Sequence, residues 1–163
     1  PDDPAALRAE QDALLLEVWQ ACNKSGHELL LEVILPENGP DKDERHYHTM
    51  LEHFYQLGIK PDWWKLPPLS SASWQQITAL IEREDPWSRG ILILGLDAPS
   101  DKLRAGFAEA AAHPMIKGFA VGRTIFGQPS RRWMQGELSD EALIEEVKRN
   151  YLTLIGYWRE ARR

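Results

Sequence analysis

Four short apolar runs, each followed by a stretch with helical spacing, constrain this chain more than any other feature. The runs are residues 28–35 (ELLLEVIL), the segment WWKL closed by Pro67 and Pro68, residues 91–96 (ILILGL) and residues 118–121. Continuous apolar runs of this length are what strands buried on both faces look like. Between them lie helical stretches at about 44–57, 71–83 and 101–112. Another helix is expected before the first run, over residues 4–23, with Leu7, Leu14, Leu15, Val18 and Cys22 on one face and Gly26 just past its end. The chain closes with an amphipathic helix at 140–162, striped by Leu143, Val147, Tyr151, Leu154 and Trp158. Strands that alternate with helices imply an α/β fold with a parallel sheet and right-handed crossovers. Two architectures fit four such units: an open doubly wound sheet, or half of a (β/α)8 barrel. No Gly-rich dinucleotide turn follows a strand, which weakens the doubly wound reading.

The chain has 163 residues, 43% of them hydrophobic, enough for one domain spanning residues 1–163. Its net charge of −6 argues against a nucleic-acid partner. A small anion remains compatible, because a few local cations and helix N-termini suffice to hold one. Cys22 is the only cysteine, so no intrachain disulfide or Cys-based zinc site is available, which fits a reducing cytoplasm. No segment reaches the length of about 20 apolar residues that a membrane helix needs. The opening residues, Pro1 to Pro4, carry neither an initiator Met nor a signal pattern, and are expected to lie inside a longer protein. His46, His48 and His53 are close in sequence, but the first two do not share a helical face, so they read as solvated residues and no metal is expected.

Unusual residues fall at the strand ends. Lys65 interrupts an apolar strand, and lysines are rarely buried without a task. Burial favours a neutral amine, which is a nucleophile toward carbonyls. Glu32 sits at comparable depth in the preceding strand. The two would serve as amine and general acid/base, or form a structural buried ion pair; the residues alone leave both open. Gly122 and Arg123 follow the last strand. There a glycine admits a ligand to the backbone and a guanidinium offers a planar fork to a phosphate. Gly95, Asp97 and Ser100 follow the third strand, with Ser100 read either as a helix N-cap or as a phosphate contact.

The series ELLLEVILP, GIKPDWWKLPP, GILILGLDAP and KGFAVGRTIF, in that order, resembles the C-terminal aldolase-like domain fused to 5-dehydro-2-deoxygluconokinase in myo-inositol catabolism. That domain is similar in turn to the class I tagatose-bisphosphate aldolases, which are (β/α)8 barrels. The resemblance covers nearly the whole chain. It implies that the four units are the second half of such a barrel, the first half and any kinase domain lying outside this chain. It implies Lys65 as the Schiff-base lysine, Glu32 as the proton-transfer residue, and Gly122 and Arg123 at the phosphate end. The segment from Gly95 to Pro99 departs from the Ser-x-Gly type turn of those aldolases, and Asp97 puts a phosphate contact from this loop in doubt. The implied reaction is cleavage of 2-deoxy-5-keto-gluconate 6-phosphate to dihydroxyacetone phosphate and malonate semialdehyde, without a cofactor. The alternative is a non-catalytic phosphosugar-binding or regulatory domain. Half a barrel leaves two strand edges unpaired, so a second copy or the remainder of the barrel is the expected partner.

Overall fold

A computed structural model of the chain describes residues 5–35 and 43–163; the loop expected after the first strand lies largely outside them. The elements are α1 (Ala5–Ser25), β1 (Leu30–Glu32), α2 (Arg45–Gln56), β2 (Trp63–Leu66), α3 (Ser71–Glu84), β3 (Gly90–Ile93), α4 (Ser100–Ala111), β4 (Ile116–Phe119), α5 (Arg123–Met134) and α6 (Asp140–Ala161). The sheet is parallel, with the strands in sequence order β1-β2-β3-β4. Strand–helix alternation with short connections demands this arrangement. The chain forms two compact units, Pro1–Leu66 with Ser71–Ile91, and Pro67–Ser70 with Leu92–Arg163.

In the first unit β1 and β2 are in register, Leu31 opposite Trp64 and Glu32 opposite Lys65. The Val33 N–H continues the ladder by donating to the Lys65 carbonyl at 3.1 Å. Trp64 is fully buried under α2: Phe54 stacks on it, Tyr55 meets it edge-on, and its indole N–H donates to the Tyr55 hydroxyl at 2.9 Å. The first strand was expected to be buried on both faces, and it is not. Leu31 and Val33 are buried while Leu30, Glu32 and Ile34 are exposed. The alternation arises because α2 packs on one face of the strand pair and nothing among the described residues seals the other.

α1 ends as its sequence suggests. Gly26 takes a left-handed φ of 72°, and the His27 N–H reaches back to the Cys22 carbonyl at 3.0 Å. Its apolar stripe does not enter the core, however: Leu7, Leu14 and Val18 are exposed. Asp12 and Trp19, seven residues apart and on one face, make the attachment instead. Asp12 pairs with His53 at 2.9 Å, and the Trp19 indole donates to the Lys60 carbonyl at 3.1 Å. His53 thus has a hydrogen-bond partner in Asp12, while its side chain remains partly exposed.

In the second unit α6 lies against α4 and α5. Leu154 is buried, Trp158 meets Phe107 edge-on at 5.5 Å, and Phe107 stacks on Phe119 of β4 at 5.1 Å. Arg104–Glu160 and Arg132–Glu146 close the helix contacts at 2.9 and 3.0 Å. Ser139 caps α6 by accepting the Ala142 N–H at 3.2 Å.

The helix α5 was not foreseen, because Gly127 and Pro129 both oppose helix formation. Proline carries no N–H, so the Ile125 carbonyl, four residues earlier, loses its helical donor. The Asn150 side-chain amide of α6 fills that gap, donating to the Ile125 carbonyl at 2.8 Å. Asn150→Ala is expected to cost about 1–3 kcal/mol, the penalty of a carbonyl left unsatisfied. In a Pro129→Ala background, where residue 129 regains its own N–H, the same change is expected to cost well under ~1 kcal/mol. Urea unfolding of the four-member cycle checks this, and additive losses would contradict it.

Asp85, at the end of α3, is buried, and burial pushes its carboxyl above the usual value; the Trp87 N–H opposes the shift. A folded-state pKa above the unfolded one means that the folded form holds the proton more tightly. That contribution is fully present below the unfolded pKa and is lost as pH rises through the folded pKa. Asp85→Asn keeps the acceptor without the charge. Its stability relative to wild type is therefore expected to rise with pH over that window, which thermal melts from pH 3.5 upward would show.

Candidate functional site

Lys65 is the third residue of β2, and Glu32 the last of β1. The parallel register sets them side by side, and their side chains meet at 3.1 Å between Nζ and Oε1. Period-two alternation puts both on the face opposite Trp64. The expectation of a buried lysine is met only in part: the Lys65 side chain keeps 20% of its surface in solvent and Glu32 37%. The pair is thus open to a small molecule, and an amine beside a carboxylate can exchange protons with it.

The second unit presents a cleft of about 310 Å³ among α5, α6 and the turn after β3. Among its lining residues are Asp97, Ser100, Arg123, Gln128, Arg131 and Asn150. The turn is strained: Leu96 and Asp97 both have positive φ, 46° and 60°, and the Ala98 N–H closes it by donating to the Gly95 carbonyl at 2.8 Å. Aspartate tolerates that conformation, whereas leucine does so at a cost of roughly 1–2 kcal/mol. Strain of this kind is concentrated at ligand sites. Gly95 is required by packing, since a Cβ there would fall 2.8 Å from a Val121 methyl. Arg123 begins α5, and Ser100 is the first residue of α4 rather than its cap; Pro99 holds the cap position and supplies no side-chain bond. Among the described residues no ion pair engages Arg123 or Arg131.

The chain matches the model of a family described as an uncharacterized protein conserved in bacteria (DUF2090) over residues 1–162. It belongs to that family. No curated protein matches this DUF2090 member significantly. Among its described residues no helix is long and apolar enough to cross a membrane, and no group of three or more His, Cys, Asp or Glu is placed to hold a metal ion.

Of the residues singled out by sequence, the structure joins Glu32 to Lys65 in one unit and gathers Asp97, Ser100 and Arg123 around the cleft in the other. Gly95 and Gly122 do not line the cleft; the Cβ positions they leave empty face Val121 and the Phe126 ring. Gln128 and Arg131 went unnoticed because their helical placement depends on recognising α5, and Asn150, on the expected closing helix, because it lies outside that helix's apolar stripe. Glu32→Gln and Lys65→Met are each expected to change stability by less than ~1 kcal/mol, as for a pair that keeps contact with solvent. A structural buried bridge would lose about 3–5 kcal/mol when one partner is removed. Chemical denaturation of the two variants separates these cases.

Proposed function

We propose that this chain is the catalytic part of a class I aldolase, with Lys65 as the Schiff-base amine and Glu32 as the proton-transfer group. The observation that carries the reading is the 3.1 Å contact between Lys65 Nζ and Glu32 Oε1 on an unsealed face of a parallel sheet. Lys65 loses a proton to Glu32 and its lone pair attacks a ketone carbon. The protonated Glu32 returns the proton to the carbinolamine oxygen, water leaves, and a cationic imine forms. The imine draws the electrons of the adjacent C–C bond as it breaks, and Glu32 accepts the proton of the hydroxyl that becomes an aldehyde. Protonation of the enamine and hydrolysis return the free amine.

The substrate in this reading is 2-deoxy-5-keto-gluconate 6-phosphate, cleaved to dihydroxyacetone phosphate and malonate semialdehyde in the cytoplasm. Parallel sheets are usually covered on both faces. The uncovered face of β1 and β2 therefore supports the half-barrel architecture, completed by a second copy or by the remaining strands. Arg123 and its cleft are assigned to a phosphate group, a role shared with the second reading, a phosphosugar-binding module without turnover. The two guanidinium residues that line the cleft, engaged by no ion pair among the described residues, are what favour that alternative.

Borohydride reduction in the presence of dihydroxyacetone phosphate is expected to leave a covalent adduct on Lys65, located by peptide mass spectrometry, and Lys65→Met is expected to abolish it. Binding with no adduct would favour the binding module. Turnover that resists borohydride but is lost on chelation would remove the Schiff-base reading.

A further inference from the structure

The open face of β1 and β2 is layered along the strands. Lys65 and Glu32 form one layer. Two residues nearer the strand starts lie Trp63 and Leu30, paired across the ladder; alternation puts Trp63 on the Lys65 face, where it is half-buried. The next layer is ionic. Glu28 precedes β1, and its Oε1 meets Arg89 Nη2 at 2.8 Å. Arg89, just before β3, is anchored in turn by its own N–H, which donates to the Asp62 carbonyl at 2.8 Å. Both members of this ion pair are about half exposed, so it adds little to stability. Its effect is on orientation: Glu28 Oε2 accepts the Trp63 indole N–H at 2.8 Å.

The indole is therefore tethered from the side of the strand starts, and its bulk closes that side of the amine. Lys65 follows it by two residues, about 6.6 Å along a strand that rises ~3.3 Å per residue. Carbon atoms pack at about 3.5–4.0 Å, so the space between ring and amine admits an arm of roughly one or two heavy atoms. A ketone joined to Lys65 has two arms, and one of them falls on this side. Moving the ring away would break its bond to Glu28, and the fully buried Trp64 holds the opposite face.

We propose that Trp63, held by Glu28, determines which ketones reach Lys65: those with at least one arm no longer than a hydroxymethyl or ethyl group. The other arm is free of this limit. The inference rests on Lys65 as the Schiff-base amine and adds the residue that selects its carbonyl partner. The selection works by exclusion, since a longer arm meets a ring that has no other place to go.

Two isomeric ketones of equal size test this: 2-heptanone, which has a methyl arm, and 4-heptanone, whose arms are both propyl. Each is incubated with the full chain and cyanoborohydride. The amine displaces the ketone oxygen as water, hydride reduces the imine, and peptide mass spectrometry quantifies the secondary amine on Lys65. Dividing by the yield on Nα-acetyllysine removes the difference in intrinsic reactivity. The wild-type ratio of 2-heptanone to 4-heptanone adduct is expected to be about tenfold or more, and Trp63→Ala is expected to bring it within about twofold of unity. Trp63→Leu keeps apolar cover on the sheet and is expected to lower the ratio in the same direction, which decides the matter if the alanine variant does not fold. Glu28→Gln keeps an acceptor for the indole and is expected to retain the wild-type ratio, whereas Glu28→Leu is expected to lower it. A wild-type ratio near unity, a ratio that Trp63→Ala leaves unchanged, or an adduct with dihydroxyacetone phosphate but with neither isomer would overturn the selection and spare Lys65 as the amine. No adduct on Lys65 with any of the three would take down both.

Discussion

Trp64 decides which way Lys65 points. Its indole is enclosed by Phe54 and Tyr55 of α2 and hydrogen-bonded to the Tyr55 hydroxyl. An aromatic of that size has no second place to go, and aromatic pairs add roughly 0.5–1.5 kcal/mol each beyond area burial. Once Trp64 is committed to the helix side, alternation sends Trp63 and Lys65 to the other. The ladder to β1 then brings Glu32 alongside. A slip of one residue would put the amine into the aromatic cluster and the indole into water, so the hydrophobic packing of α2 enforces the polar pair.

The parallel sheet and its order were legible because strand–helix alternation leaves few topologies, and the position of Lys65 was legible because two prolines end its strand. Facing was harder to read. The run ELLLEVIL says that the strand is apolar but not which layers will cover it, and only its alternate residues prove to be buried. The orientation of α1 was not legible for a related reason. A stripe of Leu7, Leu14 and Val18 predicts the inward face only if apolar contact dominates, whereas here Asp12 and Trp19 find specific partners on another side.

The cleft was half legible. Arg123 and Asp97 follow strands directly, where short loops leave little doubt about their placement. Arg131 and Gln128 required knowing that a segment with a glycine and a proline is helical, and local propensity argues against it; Asn150 is on the expected closing helix, but its role depends on that segment beside it. The helix forms because α6 packs along it and supplies the missing donor. Tertiary context overrides propensity here through one identifiable atom, the Asn150 amide nitrogen.

That atom also carries a consequence for relatives. Residues 129 and 150 form one unit of information, although they sit in different helices twenty-one positions apart. A family member without proline at the first position has no orphaned carbonyl to satisfy and is free to drop the amide at the second. One that keeps the proline must keep a donor there. The two positions should therefore vary together across DUF2090, and wherever both change at once, a side chain that lines the cleft changes too.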